Sequence, residues 1–236
     1  MTKGTKAYID AVIATGAATI ASAALNWRSD SLLHYSVFLF FFLAAATLKC
    51  RVPGVTGTYS PVFFFALLGS ATLSFSEVAV ASALAGIVQS TFRTTRRPSA
   101  IQVCFNAANL ALSACAGYPI IQRQIPGLAE QPLMISLILG ASVVYLVNTA
   151  LVSVVLTLAE RGSIAEVWKH WCLGSLPYYI VGAMIVAATI SAQNRVSTAA
   201  AVLIAPSILL TTMYYRFWLR PAVEQPIHPQ EMSHGS

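Results

Sequence analysis

Four polar side chains recur at helical spacing within an otherwise apolar stretch of the sequence. They are Gln102, Asn106, Asn109 and Ser113. Their offsets of i, i+4, i+7 and i+11 place all four on one face of a helix. Amides in a hydrocarbon environment must find hydrogen-bond partners. The pattern therefore predicts that this face meets other helices or a wet cavity, where amides and hydroxyls would bind a small-molecule ligand.

A second set of polar side chains is predicted nearby, and all of them except Tyr145, which is placed only on the sixth segment, are expected in the inner half of the membrane. Its members are Tyr59, Tyr145, Asn148 and Tyr178. Together with the first set they are candidates to line one ligand-binding pocket that opens toward the cytoplasm. Asn and Gln also hold membrane helices together, each contributing about 0.6–2 kcal/mol. For the face as a whole, ligand contact and interhelical bonding both stay open.

The sequence lacks the patterns of common enzyme sites. It contains no HExxH, GxSxG, P-loop or GxGxxG motif. The apolar segments contain no paired carboxylates and no His/Asp pair at a shared depth. The four cysteines form no CxxC pair, and no Cys/His cluster has metal-ligand spacing. We therefore expect a protein that is not an enzyme and that binds neither a metal nor a cofactor.

The composition places these residues in a membrane protein. Hydrophobic residues make up 57% of the chain and charged residues only 9%, whereas a soluble domain carries about 25% charged residues. Apolar runs recur along the chain, so a cleaved signal peptide does not explain them. The formal charge of +6 resides in short turns between apolar segments, where membrane orientation explains it. The expected partner is the lipid bilayer and not nucleic acid.

A membrane helix needs roughly 20 apolar residues, and this rule predicts eight segments in an all-α helical domain of residues 1–219. They are Tyr8–Trp27, Ser31–Cys50, Pro61–Phe75, Glu77–Phe92, Ile101–Ile121, Pro132–Leu158, Ser175–Ala192 and Ser197–Tyr215. Residues 220–236 are rich in Pro, Gln, His and Ser, which predicts a disordered cytoplasmic tail.

Basic residues predict the orientation of the segments. If the N-terminus is cytoplasmic, eleven of the 14 lysines and arginines lie on the inner side, so both termini are expected there. Residues 61–92 stay ambiguous, because each of their two segments has only about three-quarters of the usual spanning length. They form either two short spanning helices or one re-entrant hairpin beside six full spans. The pair Ser76–Glu77 is typical of a helix start and favours two helices.

A longer stretch resembles the multi-pass N-terminal sensory module of certain bacterial signalling proteins, in which it precedes a cytoplasmic HD-GYP or GGDEF output domain. The residues that carry the resemblance are LKCRVPGVTGTYSPVFFFALLGSATLSFSEVAVASALAGIVQS, then QVCFNAANLALS, VNTALVSVVLTLAERGSIAEVW, LPYYIVGAM and MYYRFWL. The chain ends shortly after Arg220, so the resemblance implies a sensory module without its output domain. It also implies a bacterial inner-membrane location and a signal passed to a separate cytoplasmic partner.

The Pro/Gly turn of Pro53, Gly54 and Gly57 is a further position shared with that family. Followed by short helices, it is also similar in architecture to the substrate-binding subunits of vitamin importers, which bind a metabolite within the membrane. Three functions therefore stay open: a sensory or ligand-binding module, a small-solute transporter component, and a structural membrane protein whose amides only hold helices together. Self-association into a homo-oligomer is compatible with all three.

Overall fold

The computed structural model describes residues 2–48, 50–51, 58–59, 61–92, 94, 97–160 and 176–193. Within these residues the fold is helical. The helices are α1 Lys3–Leu25, α2 Leu32–Thr47, α3 Val62–Thr72, α4 Phe75–Thr91, α5 Ala100–Ile121, α6 Leu133–Glu160 and α7 Leu176–Gln193. Two short strands, β1 Cys50–Arg51 and β2 Thr58–Tyr59, pair antiparallel with Cys50 opposite Tyr59.

Seven of the eight predicted segments coincide with these helices. The eighth segment, Ser197–Tyr215, lies outside the described residues, and so do the tail and the turn of Pro53, Gly54 and Gly57. Within residues 61–92 the chain forms two helices, separated at Leu73 and Ser74. Ser74, rather than the predicted Ser76, caps the second of them.

Three helices are long and apolar enough to cross a membrane: α1, α5 and the part of α6 from Leu133 to Leu158. The other described helices are apolar but shorter. Large apolar side chains also cover the outer surface of the bundle, and Leu33, Phe40 and Val181 are 77%, 68% and 53% exposed. A soluble monomer rarely exposes such continuous apolar surface, which indicates that lipid covers these faces.

Helix α5 lies at the centre of the bundle, in contact with α1, α3, α4 and α6. Glycines on its neighbours allow the backbones to approach closely. A Cβ atom added at Gly86 of α4 would lie 2.8 Å from both the Cα of Ala107 and the carbonyl oxygen of Asn106. One added at Gly16 of α1 would lie 2.7 Å from the Cα of Ala108. Such small-residue contacts are typical of packing between membrane helices.

Candidate ligand-binding site

The polar face predicted for α5 is divided between an open cavity and a buried helix contact. Gln102 and Asn106 are exposed and line a cavity of about 520 Å³ near the start of α5. One to three turns further along the helix, Asn109 and Ser113 are buried, with 5% and 0% of their surface exposed. Residues on one helical face thus have two different environments.

The cavity lies between the beginning of α1, the end of α4 and the beginning of α5. Its lining residues are Ile9, Ser90, Arg97, Pro98, Ile101, Gln102, Phe105 and Asn106. Half of these eight residues are apolar, and the others are two amide residues, a serine and an arginine. Sequence reasoning did not predict Arg97 as a site residue and counted it only among the basic residues that indicate membrane orientation. Its position just before a helix that begins with polar side chains was the available signal.

Gln102 is positioned by the start of its own helix. The backbone N–H of Ser99 donates to Gln102 Oε1 at 2.9 Å, and the N–H of Gln102 donates to Ser99 Oγ at 3.3 Å. This reciprocal pair is a capping box, which satisfies N–H groups that have no partner within the helix. Because a backbone N–H donates to it, Oε1 is identified as the amide oxygen, and the two N–H groups of the amide take no part in the box.

Asn106 joins α5 to the end of α4 at the wall of the cavity. Its Nδ2 donates to Ser90 Oγ at 2.9 Å, and Ser90 Oγ donates to the carbonyl oxygen of Gly86 at 2.7 Å. A hydroxyl has one hydrogen to donate, so Ser90 accepts from Asn106 and the amide orientation is determined. The second N–H group of the Asn106 side chain and its oxygen Oδ1 are not used in this bond.

Buried Asn109 and half-buried Asn148 and Tyr179 form a network, called the buried network below, that joins α5, α6 and α7. Asn109 Nδ2 donates to Asn148 Oδ1 at 2.6 Å, and Asn148 Nδ2 donates to the hydroxyl of Tyr179 at 3.2 Å. Tyr145, also buried, packs edge-on against Tyr179 with ring centroids 4.8 Å apart. Ser113 Oγ donates to the carbonyl oxygen of Asn109 at 2.7 Å, within the same helix. The contacts of Asn109, Asn148 and Tyr179 hold the three helices together.

Two predicted site residues cannot be placed by their side chains. Tyr59 lies in β2 and Tyr178 in the first turn of α7, but both side chains fall outside the described part of the structure. The tyrosine that bonds Asn148 is Tyr179.

The amide pair of the buried network predicts coupled effects on stability. Asn109→Ala and Asn148→Ala should each lower the free energy of unfolding by about 1–2 kcal/mol. The double variant should lose less than the sum, because both substitutions remove the same bond. Unfolding by SDS titration of the purified protein measures all three values. Ser142→Ala is the control, since Ser142 bonds only the Ile138 carbonyl of its own helix in the described contacts. Strictly additive losses would contradict the shared bond.

A second polar cluster lies at the far end of α4 from the cavity. The Glu77 side chain is 3% exposed, and its Oε1 accepts from Ser29 Oγ at 2.6 Å. Its Oε2 accepts from the backbone N–H of Ser74 at 2.9 Å, while Ser74 Oγ donates to the Arg28 carbonyl at 2.6 Å. The cluster therefore fastens the α1–α2 connection to the start of α4. Within the described ranges, no group of three or more His, Cys, Asp or Glu side chains could hold a metal ion.

A helical bundle with an apolar outer surface and three helices of spanning length defines a helical membrane protein. The model of the MASE9 family, a family of membrane-associated sensory domains, matches residues 17–191. This match covers more than half of the chain, which therefore belongs to the MASE9 family. No curated protein and no solved structure matches it. The matched range includes the buried network, the Glu77 cluster and most of the cavity lining.

Proposed function

We propose that the chain is a sensory module that binds a small molecule in the cavity near the start of α5 and signals to a separate cytoplasmic partner. The observation that carries this proposal is the cavity itself. Its volume of about 520 Å³ lies within the range of about 300–1,000 Å³ typical of small-molecule sites. Like such sites, it combines apolar walls with a few polar groups that orient a ligand.

The proposal includes a multi-pass arrangement in the bacterial inner membrane, with eight spans and both termini in the cytoplasm. The turn between α3 and α4 supports two spanning helices over a re-entrant hairpin. Ser74 bonds the Arg28 carbonyl just beyond the end of α1, and the hydroxyl of Tyr118 donates to the Leu73 carbonyl at 3.3 Å. The turn is thus level with the ends of α1 and α5, both of spanning length. A shallow re-entrant hairpin would turn near mid-depth instead.

In this arrangement the cavity faces the cytoplasm. Its walls come from α1, α4 and α5 together with Arg97 and Pro98 before α5, so a bound molecule contacts several elements at once. A ligand shifts the equilibrium between two helix arrangements if it binds one of them more tightly. Because the cavity and the proposed partner lie on the same side, such a shift would be felt directly at the partner's binding surface.

Native mass spectrometry of the full chain in mild detergent tests the proposal. We expect a reproducible adduct of metabolite size whose occupancy falls about tenfold or more in Asn106→Ala, because a ligand hydrogen bond in the cavity is lost. The adduct should persist in Asn109→Ala, since Asn109 is buried, donates to Asn148 and does not line the cavity. Asn26→Ala is the matched control, because Asn26 is exposed at the other end of α1. A wild-type protein without an adduct, or equal loss in Asn26→Ala and Asn106→Ala, would contradict the proposal.

The transporter alternative required a solute site on the polar face between α5 and α6. There the amides of Asn109 and Asn148 bond each other at 2.6 Å. No described contact specifically favours transport, so the sensory module is the function that we propose.

A further inference from the structure

The hydrogen-bonding capacity left over in the cavity consists mainly of donors. Gln102 uses its amide oxygen in the capping box, which leaves its two N–H groups for other partners. Asn106 uses one N–H group on Ser90 and keeps the second. Ser90 donates its own hydrogen to Gly86. The lining side chains also retain acceptors, namely Asn106 Oδ1, one lone pair of Ser90 Oγ and the second lone pair of Gln102 Oε1.

Arg97 supplies most of these donors together with a positive charge. Its guanidinium group carries five N–H donors and a positive charge, and it has no acceptor. Arg97 is exposed, and among the described residues none that lines the cavity is acidic. Asp10 follows Ile9 in the sequence but is not one of the lining residues. The lining residues that the structure describes therefore carry one positive charge and no negative charge.

We infer that this cavity binds a phosphate group, through the Arg97 guanidinium and the amide N–H groups of Gln102 and Asn106. The inference rests on the proposed function, in that it names the chemistry of the ligand that the cavity would take. Ionised acceptors form the strongest hydrogen bonds with such donors, and the planar fork of arginine matches the geometry of phosphate oxygens. The donors come from three separate residues, which suits the several oxygens of a phosphate better than the two of a carboxylate.

Two sources could supply this phosphate group. The proposed topology puts the cavity at the cytoplasmic surface of the membrane, where the headgroups of anionic phospholipids and soluble phosphorylated compounds are both present. The apolar side chains of Ile9, Ile101 and Phe105 in the wall are compatible with an acyl chain or with an apolar part of a soluble molecule. The recognising chemistry is the same in either case, so two probes are needed to separate the sources.

The experiment uses the full chain and two probes. In the first arm, native mass spectrometry measures binding from an equimolar mixture of phosphatidylglycerol and phosphatidylcholine with identical acyl chains. In the second arm, inorganic phosphate is titrated at constant ionic strength onto the protein in phosphatidylcholine nanodiscs, and the thermal unfolding temperature is followed. The variants are Arg97→Gln, Arg97→Lys and the matched control Arg28→Gln, which removes an exposed arginine at the other end of α1.

We expect wild-type protein to prefer phosphatidylglycerol or to be stabilised saturably by phosphate. Arg97→Gln should weaken that binding about tenfold or more, the loss typical of a charged hydrogen bond. Arg97→Lys should recover part of it because the charge is restored, and Arg28→Gln should bind as wild type does. Preference for phosphatidylglycerol without a phosphate response identifies a lipid headgroup as the ligand. A phosphate response without lipid preference identifies a soluble ligand.

The inference is overturned if wild-type protein responds to neither probe, or if Arg97→Gln and Arg28→Gln lose binding equally. These results are distinguishable from failure of the proposed function. An uncharged adduct that is lost in Asn106→Ala but retained in Arg97→Gln would leave the sensory binding site standing and exclude phosphate as its ligand. If no adduct of any kind depends on Asn106, both the proposed binding site and the phosphate inference are excluded.

Discussion

Replacing Gly86 with alanine is expected to lower the free energy of unfolding by about 2–3 kcal/mol, the upper part of the range for overpacking a tight contact. The added Cβ would lie 2.8 Å from the Cα of Ala107 and 2.8 Å from the carbonyl oxygen of Asn106. Both are backbone atoms of α5, so no side chain can rotate away to make room. The two helices must separate, and SDS titration of the purified protein measures the loss of stability.

Gly4→Ala is the matched control for this substitution. The nearest atom to a Cβ at Gly4 is the hydroxyl oxygen of Thr2, 4.0 Å away. Alanine has the higher helix propensity, so the control should be as stable as wild type or slightly more stable. If Gly86→Ala unfolds at the same SDS fraction as Gly4→Ala, the close contact between α4 and α5 does not exist in the protein.

Gly86→Ala should also weaken the proposed ligand site. The backbone carbonyl oxygen of Asn106 is one of the atoms that the new Cβ would displace. The carbonyl oxygen of Gly86 itself accepts the hydrogen bond from Ser90. Separation of α4 from α5 therefore moves two residues of the cavity wall, and the adduct should be reduced at temperatures at which the variant is still folded.

Glu77→Ala is expected to cost about 2–4 kcal/mol, because a helix cap is lost and buried hydrogen-bonding groups lose their partner. The Ser74 N–H and the Ser29 hydroxyl both donate to this carboxylate. Thermal unfolding in detergent, followed by intrinsic fluorescence, measures the effect. Glu77→Gln should cost less than Glu77→Ala, since the amide oxygen still accepts a hydrogen bond at one of the two positions.

The matched control for Glu77 is Glu130→Ala, which removes an exposed carboxylate from the α5–α6 connection. A surface charge outside any specific contact contributes little to stability, so the control should unfold as wild type does. Equal unfolding temperatures for Glu77→Ala and Glu130→Ala would mean that Glu77 does not fasten the α1–α2 connection to α4.

Local patterns in the sequence predicted the helices well. The fifth segment was expected at Ile101–Ile121 and is found at Ala100–Ile121, because the length of an apolar run largely determines a membrane helix. The spacing Ser99-x-x-Gln102, like Ser74-x-x-Glu77, is also a local signal. Each is a capping box in the structure. Because a cap involves residues only three positions apart, both could have been recognised from the sequence.

Local patterns could not predict contacts between residues that are far apart in the sequence. The period of α5 placed Gln102, Asn106 and Asn109 on one face, and they do share a helix. Whether each amide meets a helix or a cavity depends on which neighbour packs beside it. Asn109 bonds a residue 39 positions away and Asn106 one 16 positions away, and no local pattern specifies those pairs.

The sequence by itself determined that this is an apolar, multi-helical chain and where most of its helices begin and end. Tertiary structure decided which polar groups are committed to each other and which remain available beside Arg97 in the cavity. The physical reason is that helix formation in a membrane satisfies backbone hydrogen bonds within each segment. The environment of a side chain, by contrast, depends on the rotation and packing of helices brought together from distant parts of the chain.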